Sequence, residues 1–182
     1  MIAGLTKANG RRASRCGGFT LVELIAVLLI VAILAAAAVP ALDSVQRSRQ
    51  VVAARMLLHG LTFARQHAVA TGVRTWVVVD VGNQTWRILA ENPLAPGRGG
   101  AIALSDPGAA SELAERLDAG DFGDVRIVSA AFDGAAEVGF DWLGRPLNST
   151  ESDLAEAGEI VLSGSHRLTV EVETGHVAYM AP

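Results

Sequence analysis

Residues 19–39 read FTLVELIAVLLIVAILAAAAV and hold one ionisable side chain, Glu23. As an α-helix, a run of this length extends about 30 Å, the thickness of a bilayer hydrocarbon core. A helix that is apolar all round cannot rest with one face in water, so it must be enclosed by protein or by lipid. Lys7, Arg11, Arg12 and Arg15 precede the run, and Asp43 follows it. The excess of positive charge on the N-terminal side predicts residues 1–18 in the cytoplasm and the rest of the chain across the membrane.

A cleaved secretory signal and a plain membrane anchor would share much of this pattern. The stretch AAAAVPA even offers small residues to a signal peptidase. Neither explains a carboxylate five residues into the run, where insertion costs about 2.5–3.5 kcal/mol. A charge held against that cost points to a role for Glu23 itself.

Gly18-Phe19-Thr20-Leu21-Val22-Glu23 resembles the processing site of type IV prepilins and pseudopilins. Counted from Phe19, Glu23 is the fifth residue and Pro40 the twenty-second, both in register with that family. The resemblance implies cleavage after Gly18 by a prepilin peptidase, N-methylation of the new terminus at Phe19, and assembly with other pilins or pseudopilins through Glu23. The physics is consistent: the amine freed at Phe19 can pair with Glu23 of a neighbouring subunit, relieving two charges that are costly apart. Pro40 lacks an N–H and crowds the preceding turn, which predicts a kink or loosening of the helix near the membrane exit.

Beyond Pro40 the apolar residues fall at helical spacing: Val52/Ala53, Met56/Leu57, Gly60/Leu61, Phe63/Ala64 and His67/Ala68. Arg47, Arg49, Arg55 and Arg65 occupy other positions, and Thr71-Gly72 is a stop signal. The expectation is one long helix, half in the bilayer and half beneath a domain. Strands are expected at 73–81, 85–89, 125–132, 137–142, 159–162, 167–172 and 176–180, with a turn at Gly82-Asn83 and a short helix at 111–117. The predicted fold class is α+β, a long N-terminal helix packed on antiparallel β-sheet in a pilin-like arrangement. Its predicted divisions are a cleaved leader over 1–18, a transmembrane and assembly helix over 19–40, and a periplasmic globular domain over 41–182.

LTFARQHAVATGVRTWVVV, VGFDWLGRP, EIVLSG, RLTVEVE and GHVAYM resemble segments of the GspH/FimT group of minor pseudopilins; residues 90–125 fall outside that resemblance. It implies a minor pseudopilin of a type II secretion system, anchored in the bacterial inner membrane. The alternative it leaves is a FimT-like minor type IV pilin, in pilus assembly or DNA uptake. Charge bears on the alternative. Without the four basic residues of the leader, 11 basic side chains face 19 acidic ones, a net of −8, and clustered cations for phosphate are missing from the sequence. No nucleic-acid partner is expected.

Other chemistry is weak in this sequence. Cys16 is the one cysteine, so no internal disulfide can form. His166 and His176 flank Glu171 and Glu173, but no metal-ligand spacing appears, and Asp118, Asp121 and Asp124 do not follow a calcium-loop pattern. His59 and His67 read as packing or surface residues. No nucleophile elbow, phosphate loop or Cys/His pair is present. The reading is a non-enzymatic subunit with no metal or cofactor.

Mass spectrometry of the membrane-extracted protein is expected to find an N-methylated Phe19 as the mature terminus, and Gly18→Ala to abolish that processing. A mature terminus near Ala41 would establish ordinary signal-peptidase cleavage instead.

Overall fold

The computed structural model describes residues 20–105, 112–117, 120–123 and 125–182, with backbone only at 37–43 and 121. The chain divides into two units, Met1–Ala41 and Leu42–Pro182. Helix α1, Leu21–Thr71, begins in the first and ends in the second. Pro40 lies within it, with its side chain outside the described residues. The helix stops where Gly72 turns to a φ of 71° and donates its N–H to Ala68 O at 2.9 Å, a left-handed C-cap that a side chain would strain.

In the Leu42–Pro182 unit, α1 buries Ala53, Ala54, Leu57, Leu61, Ala64 and Ala68. These alternate at three- and four-residue steps along one seam, with Gln50 buried one turn earlier. The second residue of every pair expected from periodicity is inside, but Val52 is not: it is 50% exposed, and Ala54 takes its place. The reason is fit. Alanines let the helix axis approach closely, and Gly60 sits so near the Trp86 ring that a Cβ there would overlap it.

Among the described residues ten strands follow: β1 (Thr75–Asp80), β2 (Thr85–Ala90), β3 (Ile102–Ala103), β4 (Ala114–Arg116), β5 (Ile127–Ala131), β6 (Glu137–Phe140), β7 (Pro146–Leu147), β8 (Gly158–Leu162), β9 (Arg167–Val170) and β10 (Val177–Met180). All pairs are antiparallel. They form two sheets rather than one. The larger has the order β3-β2-β1-β6-β7, with β4 also on β2; the smaller has β10-β9-β8-β5. One apolar cluster joins the α1 seam to Val77, Val79, Trp86 and Ile88 of the larger sheet and to Ile160, Leu162, Leu168 and Val170 of the smaller.

The short helix expected at 111–117 is instead β4. Residues 114–116 pair with Arg87, Trp86 and Thr85 on the outer edge of β2. A helix of two turns nucleates poorly, whereas an open strand edge offers a ready row of hydrogen bonds. Ser111 lies outside the described residues.

Three polar side chains tie the layers. Thr75 donates its hydroxyl to Ala64 O at 2.8 Å, joining β1 to the helix. Gln84, buried, accepts from Ile127 N–H at 2.6 Å and donates to Ile127 O at 3.1 Å, joining the β1–β2 turn to the smaller sheet. Arg65 donates through Nε to Gly144 O at 3.1 Å and Thr174 O at 3.0 Å.

Urea unfolding of fragment 42–182 checks the seam. Leu57→Ala is expected to cost about 2–5 kcal/mol, while Val52→Ala stays within about 0.5 kcal/mol.

Candidate assembly site

The first turn of α1 is built from Thr20. Its carbonyl accepts the Leu24 N–H at 3.1 Å, and its hydroxyl accepts the Glu23 N–H at 3.3 Å. Thr20 is therefore the N-cap, and Glu23 stands three residues on, in the acidic first turn where a carboxylate favours the helix dipole. Gly18 and Phe19 lie outside the described residues. The sequence held a sign of this cap in its Thr-x-x-Glu spacing, which periodicity alone passes over.

The helix around Glu23 has no buried face. Leu21, Val22, Leu24, Ile25, Val27, Leu28, Leu29, Ile30, Val31, Ile33 and Leu34 are all exposed, Leu21 and Val22 at 74%. Exposed apolar surface on this scale marks contact with lipid or with another protein. Among the described residues no helix is long and apolar enough to cross a membrane; side chains in this run are described only to Ala36.

The folded unit offers less. One charged cleft is lined by Arg74, Glu91, Asp141, Arg145, Glu151 and Asp153, but the charges answer one another. Arg74 forks onto Glu91 at 2.8 and 3.2 Å and also reaches Glu151. Arg145 pairs with Asp141 at 2.8 Å and reaches Asp153 at 3.7 Å. Burial pushes the Glu91 carboxyl up, but the Gly97 N–H and the Arg74 guanidinium outweigh it and hold it below its ordinary range. Asp80 is also held low by the backbone and side-chain N–H groups of Asn83, and Asp133 by the Ala155 N–H and the Asn148 amide. These carboxylates brace turns and loops.

His166 is buried, and its Nδ1 lies 2.6 Å from the Tyr179 hydroxyl with the rings stacked. Glu171 accepts from the Thr174 hydroxyl at 2.6 Å. Among the described residues no group of three His, Cys, Asp or Glu could hold a metal ion. Asp118 and Asp124 fall outside the described residues, as does the Asp121 side chain. His67 packs against Phe63, ring centres 6.1 Å apart.

Residues 13–39 match the prokaryotic N-terminal methylation motif. Two structures of the minor pseudopilin EpsH from the type II secretion system of Vibrio cholerae superpose with TM-scores of 0.53 and 0.54 at 12% identity. Each match covers 74% of this chain, and 96% and 97% of the respective EpsH chains. The Pseudomonas aeruginosa type IV minor pilin FimU gives 0.48 at 15% identity, covering 74% of this chain and 90% of that one. No curated protein matches the sequence. The motif match lies in the N-terminal segment, and the structural likeness shows a pilin-like α+β fold.

The low carboxylates set a pH dependence. A group whose pKa is lower folded than unfolded contributes stability that is full above its unfolded value and is lost as pH falls through the folded one. For Glu91, Asp80 and Asp133 the unfolded values are about 4. The thermal midpoint of fragment 42–182, followed by circular dichroism, is expected to hold level down to about pH 5 and to fall below about pH 4.

Proposed function

We propose that this chain is a minor pseudopilin, a structural subunit of a type II secretion pseudopilus that supports protein export across the outer membrane. The observation that carries the reading is a helix with apolar side chains exposed on every side and one carboxylate, Glu23, in its first turn. That surface suits lipid before assembly and the helices of other subunits after it. Residues 1–18 form a leader that the prepilin peptidase removes after Gly18, leaving Phe19 to be methylated. Residues 19–40 anchor the chain once in the inner membrane, N-terminus cytoplasmic, and Pro40 loosens the helix at its exit. Residues 41–182 form the periplasmic domain.

Glu23 then pairs with the Phe19 amine of a neighbouring subunit, the ion pair replacing two isolated charges in an apolar medium. The fold likeness to EpsH supports the secretion reading. The charge pattern supports a subunit without nucleic acid: Arg74, Arg98, Arg145 and Arg167 are each engaged by a carboxylate. The protein acts by assembling, not by catalysis, and needs no cofactor.

Glu23→Val is expected to insert in the membrane at least as well as wild type and to cross-link to other pseudopilins several-fold less. Wild-type cross-linking by that variant would remove the pairing. Micromolar, salt-sensitive binding of DNA by fragment 42–182 would replace the secretion reading with that of a DNA-uptake pilin.

A further inference from the structure

Within the Leu42–Pro182 unit, α1 and the smaller sheet leave an open cleft of about 600 Å³. That size lies in the range of small-ligand sites, about 300–1,000 Å³. Arg47, Gln50 and Val51 of α1 line it, with Gly164 and His166 from the β8–β9 turn and residues 181–182 beyond β10. No acidic side chain is among them. Gln50 is 9% exposed, and among the described residues its amide has no hydrogen-bond partner. Neither amide atom is sealed from solvent, so the group opens on the cleft. A buried amide needs a partner, and here one must enter from outside. Gly164, at a φ of 76°, makes the room: a Cβ there would overlap the Gln50 amide. His166 is also buried, with Nδ1 2.6 Å from the Tyr179 hydroxyl. With that hydroxyl donating to Nδ1, the neutral ring carries its proton on Nε2, which has no partner among the described residues. Arg47 is exposed and unpaired among the described residues, unlike Arg74, Arg98, Arg145 and Arg167.

We propose that this cleft binds a carboxylate, with Arg47 supplying the charge and the Gln50 amide and His166 Nε2–H supplying neutral donors. A single fixed positive charge matches a monoanion, and leaves a phosphate dianion under-neutralised. The planar guanidinium suits a planar group with two oxygens. Val51, Ala181 and Pro182 add an apolar wall for the methylenes of an acidic side chain. The ligand class is therefore an aspartate or glutamate side chain of another polypeptide, or a free short-chain carboxylate that offers the same group. The chain beyond the leader is net acidic, so such a ligand is repelled elsewhere and admitted here. The site stands apart from Glu23 and does not depend on the secretion reading.

The test titrates the full-length protein, purified in an uncharged detergent, at fixed pH and ionic strength. The probes are sodium acetate, a terminally blocked Ala-Glu-Ala tripeptide, its Ala-Gln-Ala counterpart and inorganic phosphate. Binding is followed by NMR of isotope-labelled histidine rings, with the His166 signal assigned from His166→Gln. The Glu peptide is expected to shift that signal saturably and to bind about tenfold tighter than the Gln peptide, the difference of one charge-assisted contact. Arg47→Met and Gln50→Leu are each expected to weaken it several-fold, while Arg55→Met, at another exposed arginine of α1, leaves it unchanged. Acetate as tight as the Glu peptide makes the ligand a free carboxylate; acetate much weaker makes it an acidic side chain, and either result supports the site. Equal binding of the Glu and Gln peptides, no saturable shift with acetate or Glu peptide, or tighter binding of phosphate overturns the proposal. An equal loss in Arg55→Met also overturns it, as the mark of general attraction to positive charge. Arg47 is exposed, so Arg47→Met tests the site even where Gln50→Leu fails to fold.

Discussion

The contact between the small-residue seam of α1 and the two sheets governs the rest of the folded unit. Ala53, Ala54, Leu57, Leu61, Ala64 and Ala68 belong to one apolar cluster with strands of both sheets. Neither sheet buries its inner face without that helix. Close approach is what makes the arrangement work: Gly60 admits the ring of Trp86, and the alanines keep the helix axis near the strands. Larger side chains on the seam would separate the layers and forfeit dispersion contacts along its length.

Polar ties then decide how the layers are registered. Gln84 bonds both backbone groups of Ile127, as a strand neighbour would, and so links the β1–β2 turn to the edge of the smaller sheet. Arg65 gathers two loop carbonyls at the far end of α1. Around Arg74, Arg98 and Arg145 the acidic side chains of a net-negative domain are turned inward on partners. Loops braced in this way can vary in sequence while the seam remains, which is consistent with a shared fold at 12% identity to EpsH.

The same helix meets a different requirement in its first turns. Among the described residues its side chains there are exposed, and the single carboxylate is left without a described partner. Exposed apolar surface and an unpaired charge are unfavourable in water. Both cease to be so in a bundle of like helices that brings an opposite charge.

Much was legible in the sequence because it rests on local rules. The length and purity of the apolar run, Glu23 within it, the helix stop at Gly72 and the positions of β1, β2, β8, β9 and β10 follow from periodicity, propensity and turn chemistry. Even the seam was approached to within one residue, since a 3.6-residue period leaves adjacent positions such as Val52 and Ala53 hard to separate. What tertiary structure decided were the choices that need two distant segments at once. Packing distance put Ala54 inside and Val52 outside. An open edge of β2 made residues 114–116 a strand, and pairing across 43 residues gave Gln84 its buried role and divided the strands into two sheets. Local sequence carries no record of which edge or which cavity will be vacant when the chain closes on itself.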